Sequence, residues 1–318
     1  MANINGFLNV DNLDYCGKEA QEIFAKDVYS LDLRDYGITL MDGVKGRTKL
    51  YTGEIGDVWQ AYTCPFTPEG EASLGEWEFE PVAIKVNMEE CYDKFWNTFL
   101  VDQTSISLNG GIPATFSEWF FARLRQKMAK EYQEIFWKGD SDNSGSTYLS
   151  VTDGVEKQLE DNTGVTKIAG ARFTVDNVLS QVEAAISAGI DNAANADVNV
   201  EGYKVMINKA DVKLLEVALG KLCCGNSKDA IFANYAKENG RIYVMGFEVV
   251  PTEQSRNTVI FGPIRNLVLG FDTFDSHLMY KLVDLRNSTL DNAFRIAAIS
   301  NIAVGIVFPE LFVYSRVA

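Results

Sequence analysis

The amino-acid sequence predicts an α+β fold, and three observations lead to it. Helix-period segments are interspersed with period-two segments without the strict alternation of a doubly wound sheet. A long strand-turn-strand stretch between Gly37 and Met88 has no all-apolar face. The chain then closes on an apolar strand-like run from Asn292 to Tyr314, interrupted at Phe308-Pro-Glu310, which must be buried against its own sheet. At 318 residues, 47% hydrophobic and 23% charged, the composition is that of a folded body that needs neither disulfide nor metal for stability.

Residues Ala2 to Tyr36 mix Asn, Asp and isolated apolar side chains and read as an arm. A short amphipathic helix is expected over Glu19 to Ser30, where Ala20, Ile23, Phe24 and Val28 fall at helical spacing. From Gly37 the period changes to two: Ile38, Leu40 and, after a turn at Gly43, Val44. Lys45, Arg47 and Lys49 then alternate with Gly46, Thr48 and Leu50, which would put three cations on one strand face. A second alternating stretch, Trp77 to Asn87, follows the turn-rich Pro65-Phe-Thr-Pro-Glu-Gly70. The resulting hairpin carries Tyr51, Trp59, Tyr62, Phe66 and Trp77 on polar strands. Such a hairpin is expected to leave its own domain and lie on a neighbour.

Met88 to Leu100 reads as helical or mixed, and Asn109-Gly-Gly-Ile-Pro113 breaks it. The strongest helix opens with Thr115-Phe-Ser-Glu118, a capping box, and runs to Trp137. Phe116, Phe120, Leu124, Met128, Tyr132, Ile135 and Phe136 trace one stripe, and Arg123, Lys127, Lys130, Glu131 and Glu134 occupy the other face. Its length would be about 33 Å, enough to act as the strut of a domain. A second helix is expected from a Thr174 cap to a stop near Gly189. A strand over Tyr203 to Asn208 leads into a third helix ending at Gly220. Strands follow through Ile242 to Val249 and Thr258 to Phe261, with Pro251 and Pro263 bracketing the loop between them.

The formal charge of -15, with no concentrated Lys/Arg stripe, argues against sequence-specific nucleic-acid binding. Five cysteines without a CxxC pair indicate free thiols in a reducing compartment, and adjacent Cys223 and Cys224 read as small buried residues. No apolar run spans a bilayer and no export signal opens the sequence, so no membrane partner is expected. The single histidine, His277, has Asp275 and Ser276 beside it, but sequence neighbours do not supply triad geometry. Asp140-Ser-Asp-Asn-Ser-Gly145 supplies the opening of a calcium loop, with Asp140, Asp142 and Ser144 as candidate ligands. Val151 stands where the bidentate Glu belongs, so a solvated turn is the competing reading. Phosphate-binding glycine motifs are missing from the sequence; no cofactor and no enzymatic activity are expected. Lys45, Arg47 and Lys49 are either the solvated face of the hairpin or partners for Glu131 and Glu134 of an adjacent copy.

This order of elements, together with Asn266 to Asp272 and Phe308-Pro-Glu-Leu-Phe312, resembles the major capsid proteins of tailed bacteriophages, the Hong Kong-97 type of fold. The resemblance implies an N-terminal arm over 1–36, an extended hairpin or E-loop over 37–88, and a peripheral domain over 89–160 with a spine helix at 115–137. An axial domain over 161–271 and returning strands over 272–318 complete it. It further implies pentamers and hexamers of an icosahedral shell enclosing double-stranded DNA, without an active site. Such a shell is assembled in the host cytoplasm and found in the virion, with separate scaffold, portal and decoration proteins as partners. Lys45, Arg47, Lys49, Trp59, Tyr62, Phe66, Trp77, Glu131 and Glu134 are the expected contacts between copies. Some relatives begin with a scaffolding segment; this sequence starts with its arm, which implies a separate scaffold or prior processing. Some crosslink a hairpin Lys to a neighbour's Asn through a Glu. Lys45, Lys49, Asn287 and Asn292 are available here, but no such trio is assigned and no crosslink is expected. The alternatives are an encapsulin-like bacterial compartment and, in another class, a soluble enzyme or ligand-binding domain.

Overall fold

The computed structural model describes residues 33–55, 59, 72–91, 116–145, 148–222, 237–238, 241–272, 280–285 and 291–317. The first part of this comprises a helical turn, α1 (Leu33–Tyr36), β1 (Thr39–Asp42), β2 (Thr48–Ile55), β3 (Ala72–Phe79) and β4 (Val82–Cys91). The long helix α2 (Phe116–Lys138) is followed by α3 (Val155–Asp161), β5 (Thr166–Gly170), α4 (Val178–Asn195), β6 (Tyr203–Asn208) and α5 (Lys209–Leu222). The strands β7 (Lys237–Glu238), β8 (Arg241–Val244), β9 (Phe247–Thr252), β10 (Thr258–Pro263), β11 (Leu267–Asp272), β12 (Tyr280–Asp284), β13 (Ala293–Ile306) and β14 (Val313–Val317) complete it.

The terminal apolar run serves two sheets. In the five-stranded sheet β13 is the longest strand: β11 and β12 share one of its edges end to end, and β4 pairs along the other. Pro309 then opens a single 3-10 turn, Pro309–Leu311, that ends the strand. Beyond it β14 enters a seven-stranded sheet of order β5-β14-β10-β6-β9-β8-β7.

The central strands of the second sheet are covered on both faces, which is why β6 and β10 carry consecutive buried apolar residues, Val205 to Ile207 and Val259 to Phe261. Period two divides each strand between two cores. Tyr203, Val205, Ile207, Val259, Phe261 and Val313 face α4 and α5. Met206, Val250, Ile260, Phe312 and Tyr314 face Tyr132, Ile135, Phe136 and Trp137 of α2 and the apolar side of the five-stranded sheet. Tyr132, Ile135 and Phe136 of the predicted stripe, joined by Trp137, are thus the wall of the central core, while Leu124 and Met128 are only half-buried. Met245 (φ 51) and Gly246 (φ 84) form the tight turn between β8 and β9, both in the left-handed conformation such hairpins require.

Several expectations are corrected. Gly189 does not end α4, which continues to Asn195; a Cβ there would lie 2.2 Å from the ring of Phe261, so the glycine permits close packing of helix on sheet. Thr174 is not the cap: Asn177 precedes the first helical residue, and its side chain accepts from Thr174 N at 2.7 Å. Gly220 lies inside α5. Met88 to Cys91 is the end of β4, not helix. Pro251 sits within β9 and Pro263 ends β10; β8 flanks β9 only as far as Val249, so the proline ring interrupts no ladder on that edge. Of the segment 37–88 read as one hairpin, Thr48 to Phe79 brackets the two-stranded ribbon, while β1 and β4 belong to the five-stranded sheet. The arm helix over Glu19 to Ser30 and Thr115 lie outside the described residues.

Candidate interaction surface

The ribbon β2–β3 runs in register from Thr48↔Phe79 to Ile55↔Ala72. Alternation puts Lys49, Tyr51, Leu74, Glu76 and Glu78 on one face and Thr48, Leu50, Trp77 and Phe79 on the other. Trp77 and Phe79 stack with centroids 5.0 Å apart at 23° and lie on the body of the same chain, against Val44, Val268 and Ala303. Glycines make their floor: a Cβ at Gly270 would be 2.6 Å from the Phe79 ring, and one at Gly305 would be 2.3 Å from the Trp77 ring. Trp77, expected among the residues offered to another copy, is instead half-buried as the foot of the ribbon. Further out the apolar side chains are uncovered. Tyr51 is 65% exposed, Leu74 77% and Trp59 98%.

The expected cationic face is reorganised. Lys45 and Arg47 precede β2, so Lys49 alone of the three follows strand alternation. Lys49 Nζ lies 2.6 Å from Glu76 and 2.7 Å from Glu78, and Arg47 reaches Glu78 at 3.4 Å and Glu80 at 3.3 Å. These carboxylates push the Lys49 ammonium up to about 12, and Lys49 in turn holds Glu78 below the ordinary range. On α2, Glu131 pairs with Lys127 at 3.0 Å. Glu134 accepts from the Tyr148 hydroxyl at 2.8 Å and faces Lys130 at 3.8 Å. Arg47, Lys49, Glu131 and Glu134 therefore each have a partner within the chain, and the structure does not bring the two groups together.

Exposed ion pairs contribute little to stability, whereas the two stacked rings bury large apolar surface. Lys49→Gln is therefore expected to leave the thermal midpoint essentially unchanged. Trp77→Ala is expected to release the ribbon's foot, read as a several-fold faster proteolytic cut between β2 and β3. Faster cutting in Lys49→Gln than in Trp77→Ala would assign the anchoring to the charges instead.

In the loop after α2, the place of a cation is taken by the ammonium of Lys157, which reaches across from α3. It stands 3.0 Å from Asp142, 3.3 Å from Asp161 and 3.8 Å from Asp140, and Asp142 and Asp161 hold it above the ordinary lysine range. Asp142 N donates to Asp140 Oδ1 at 3.1 Å, and Ser144 is exposed. Among the described residues, no group of three or more His, Cys, Asp or Glu side chains is placed to hold a metal, and no helix is long and apolar enough to cross a membrane. Cys91 is an exposed free thiol at the end of β4. Tyr62, Phe66, Cys16, Cys64, Cys223, Cys224, His277 and Asn287 lie outside the described residues.

Two features escaped the sequence. A groove of about 420 Å³ separates β4 from α2, lined by Ile84, Val86, Met128, Tyr132, Ile135 and Val151; the signal for it was the apolar alternation of Ile84 and Val86 beside the helix stripe. Glu156 and Asp211 are buried, although acids in the first turn of a helix ordinarily read as solvated.

Neither a family model nor a curated protein matches the sequence. Solved structures do. One match is a chain of the satellite phage P4 procapsid that includes the size determination (Sid) protein, at TM-score 0.56 and 12% identity, covering 93% of this chain and 98% of that one. The capsid of Myoviridae phage XM1 matches at TM-score 0.55 and 10% identity over 91% and 92% of the two chains. A virus-like particle from Pyrococcus furiosus matches at TM-score 0.50 and 11% identity over 94% and 99%. At such identities the likeness is one of fold: the chain has the α+β fold of these shell proteins along nearly all of its length.

Proposed function

We propose that this chain is a major capsid protein, a structural subunit whose copies form the pentamers and hexamers of an icosahedral shell around double-stranded DNA. The observation that carries the reading is the ribbon β2–β3, anchored at its foot by Trp77 and Phe79 and uncovered further out at Tyr51, Leu74 and Trp59. A two-stranded ribbon is marginal in water by itself, and an apolar patch left on it is satisfied by a surface of another molecule. A second copy supplies that surface in a closed shell, and the likeness of fold to phage capsids supports it.

On this reading 1–36 is the arm, 37–88 the E-loop segment, 89–160 the peripheral domain, 161–271 the axial domain and 272–318 the returning strands. Tyr51, Trp59, Leu74, Tyr62 and Phe66 become contacts between copies. Lys45, Arg47, Lys49, Glu131 and Glu134 join them only by exchanging their internal partners. The charge of -15 leaves the wall without affinity for packaged DNA. Assembly in the host cytoplasm with separate scaffold, portal and decoration proteins, and residence in the virion, belong to the same proposal. The likeness to the Pyrococcus furiosus particle supports a second reading, an encapsulin-like compartment with the same shell geometry and other contents.

Electron microscopy of the purified protein, alone and with a co-expressed scaffold, tests the proposal. Spheres, tubes or capsomers are expected. A small monomer under every condition would overturn it, and shells that fill with protein cargo rather than DNA would select the compartment.

A further inference from the structure

The buried polar groups of the molecule converge on one turn, residues 253–257, between β9 and β10. Of the eight buried polar residues among those described, Glu156, Asn208, Asp211, Thr252, Gln254 and Thr258 sit beside it or in it. Gln254 Nε2 donates to Thr258 O at 2.7 Å and Met206 O at 3.2 Å, and its Oε1 accepts from the Thr252 hydroxyl at 2.9 Å. Two helices then grip the turn with carboxylates. Asp211 of α5 accepts from Arg256 Nε at 2.6 Å and Asn257 N at 2.7 Å. Glu156 of α3 accepts from Ser255 N and, at 2.6 Å, from the Ser255 hydroxyl.

The two grips differ in charge. Asp211 is neutralised by a guanidinium, whereas Glu156 faces only an amide and a hydroxyl at hydrogen-bond distance. Of the charged groups around it, Arg316 on β14 is engaged by Glu160 of α3 at 2.6 Å, Lys138 at the end of α2 acts at longer range, and Tyr314 is buried. On the turn itself Glu253 is held by Lys209 at 3.1 Å and Arg256 by Asp211. An ionised carboxylate in such a place carries a desolvation penalty that the two Ser255 donors and the more distant Lys138 and Arg316 offset only in part. The same short helix is bonded to the other sheet, because Gln158 Nε2 donates to Val304 O of β13 at 2.9 Å. Glu156 is therefore, with the bonds of Glu160 to Arg316 and Lys167, one of the polar links that tie the seven-stranded sheet, through α3, to the five-stranded one, and it is the one that buries an acid.

We propose that the buried Glu156–Ser255 junction is a proton-operated catch between the two sheets. Ionisation strengthens the two bonds from Ser255 but places a charge in a buried site, so the closed junction is favoured when the carboxyl is neutral and under electrostatic load when it is ionised. Burial pushes the Glu156 carboxyl above the ordinary glutamate range, against the lowering effect of the two Ser255 donors. The folded chain thus holds this proton more firmly than the unfolded chain. The stabilisation is complete below the ordinary glutamate range and is lost as pH rises through the folded-state value. Neutral pH leaves the junction of α3 and the turn looser than mild acid does, which lets one copy bend between its sheets without breaking either. This device is internal to the chain and does not depend on the shell reading.

Amide hydrogen exchange on the full chain tests it. With intrinsic rates corrected, protection of the amides at 253–258 and 155–161 should fall several-fold between about pH 5 and about pH 8 in the native sequence and stay flat in Glu156→Gln. Parallel profiles in the two proteins would overturn the catch. A titration of the native Glu156 carboxyl by 13C NMR keeps the test intact if the variant does not fold: a midpoint above the ordinary glutamate range supports the catch, and one at or below it overturns the catch.

Discussion

Replacing residues 53–74 with Asn-Gly is expected to give a folded chain that never assembles. Thr52 and Gly75 are directly paired, so a two-residue turn closes the shortened ribbon in the natural register. The foot is untouched, because Trp77 and Phe79 still rest on Gly305 and Gly270. Both cores lie outside the deletion, and the thermal midpoint should stay within a few degrees of the parent. Electron micrographs of the variant should be empty of shells, and its sedimentation should be that of a monomer or small oligomer. Shells built from the truncated chain would end the view that the ribbon carries contacts between copies, whatever the fold.

The largest expected loss of stability comes from Phe261→Ala. Phe261 is fully buried on an interior strand of the seven-stranded sheet, 5.0 Å edge-to-face from Phe247 and 5.5 Å from Tyr203. Truncation of a buried phenylalanine costs about 3–5 kcal/mol. The upper end applies where neighbours cannot collapse into the void. Across the ring stands Gly189, which has no side chain to move. The same geometry predicts a rescue. Gly189→Ala alone forces a methyl to within 2.2 Å of the ring, an overpacking cost of about 1–3 kcal/mol; with the ring gone, the methyl fills part of the void and the alanine favours the helix. Denaturant unfolding of the four proteins in the cycle should give a double variant more stable than Phe261→Ala. Additive losses would mean that α4 and β10 are less rigidly apposed than their contact suggests.

Much of the fold was legible because its signals are local. The strand Tyr203–Asn208 and the terminal run could be read since consecutive apolar residues, Val205 to Ile207 and Ile302 to Ile306, dominate them, and the stripe Tyr132, Ile135, Phe136 marks the core side of α2. The misreadings share a different cause. Gly189 and Gly220 looked like helix stops because a glycine announces its own backbone freedom, while the reason for Gly189 is a ring more than seventy positions away in sequence, at Phe261. Trp77 looked exposed because its strand neighbours are polar. What covers it is a floor made at Gly305, visible only once β13 is in place. Arg47 and Lys49 looked available to a neighbour because their acids, Glu76, Glu78 and Glu80, come from the opposite side of the ribbon, where register rather than periodicity decides who meets whom. The surface residues Tyr51 and Trp59 were readable for the opposite reason: nothing in the chain covers them among the described residues.

Order of synthesis gives the double membership of β13 and β14 a temporal meaning. A ribosome delivers residues 293–317 after every other strand described here, yet one of these two strands is internal to each sheet. Until they emerge, β4, β11 and β12 have no β13 to pair with, and β10 lacks its β14 neighbour. The nascent polypeptide is therefore expected to hold open edges in both sheets until this last segment emerges. Chains interrupted before this point expose those edges to one another, so a prematurely terminated product should go to chaperones and proteases rather than persist as a folded fragment.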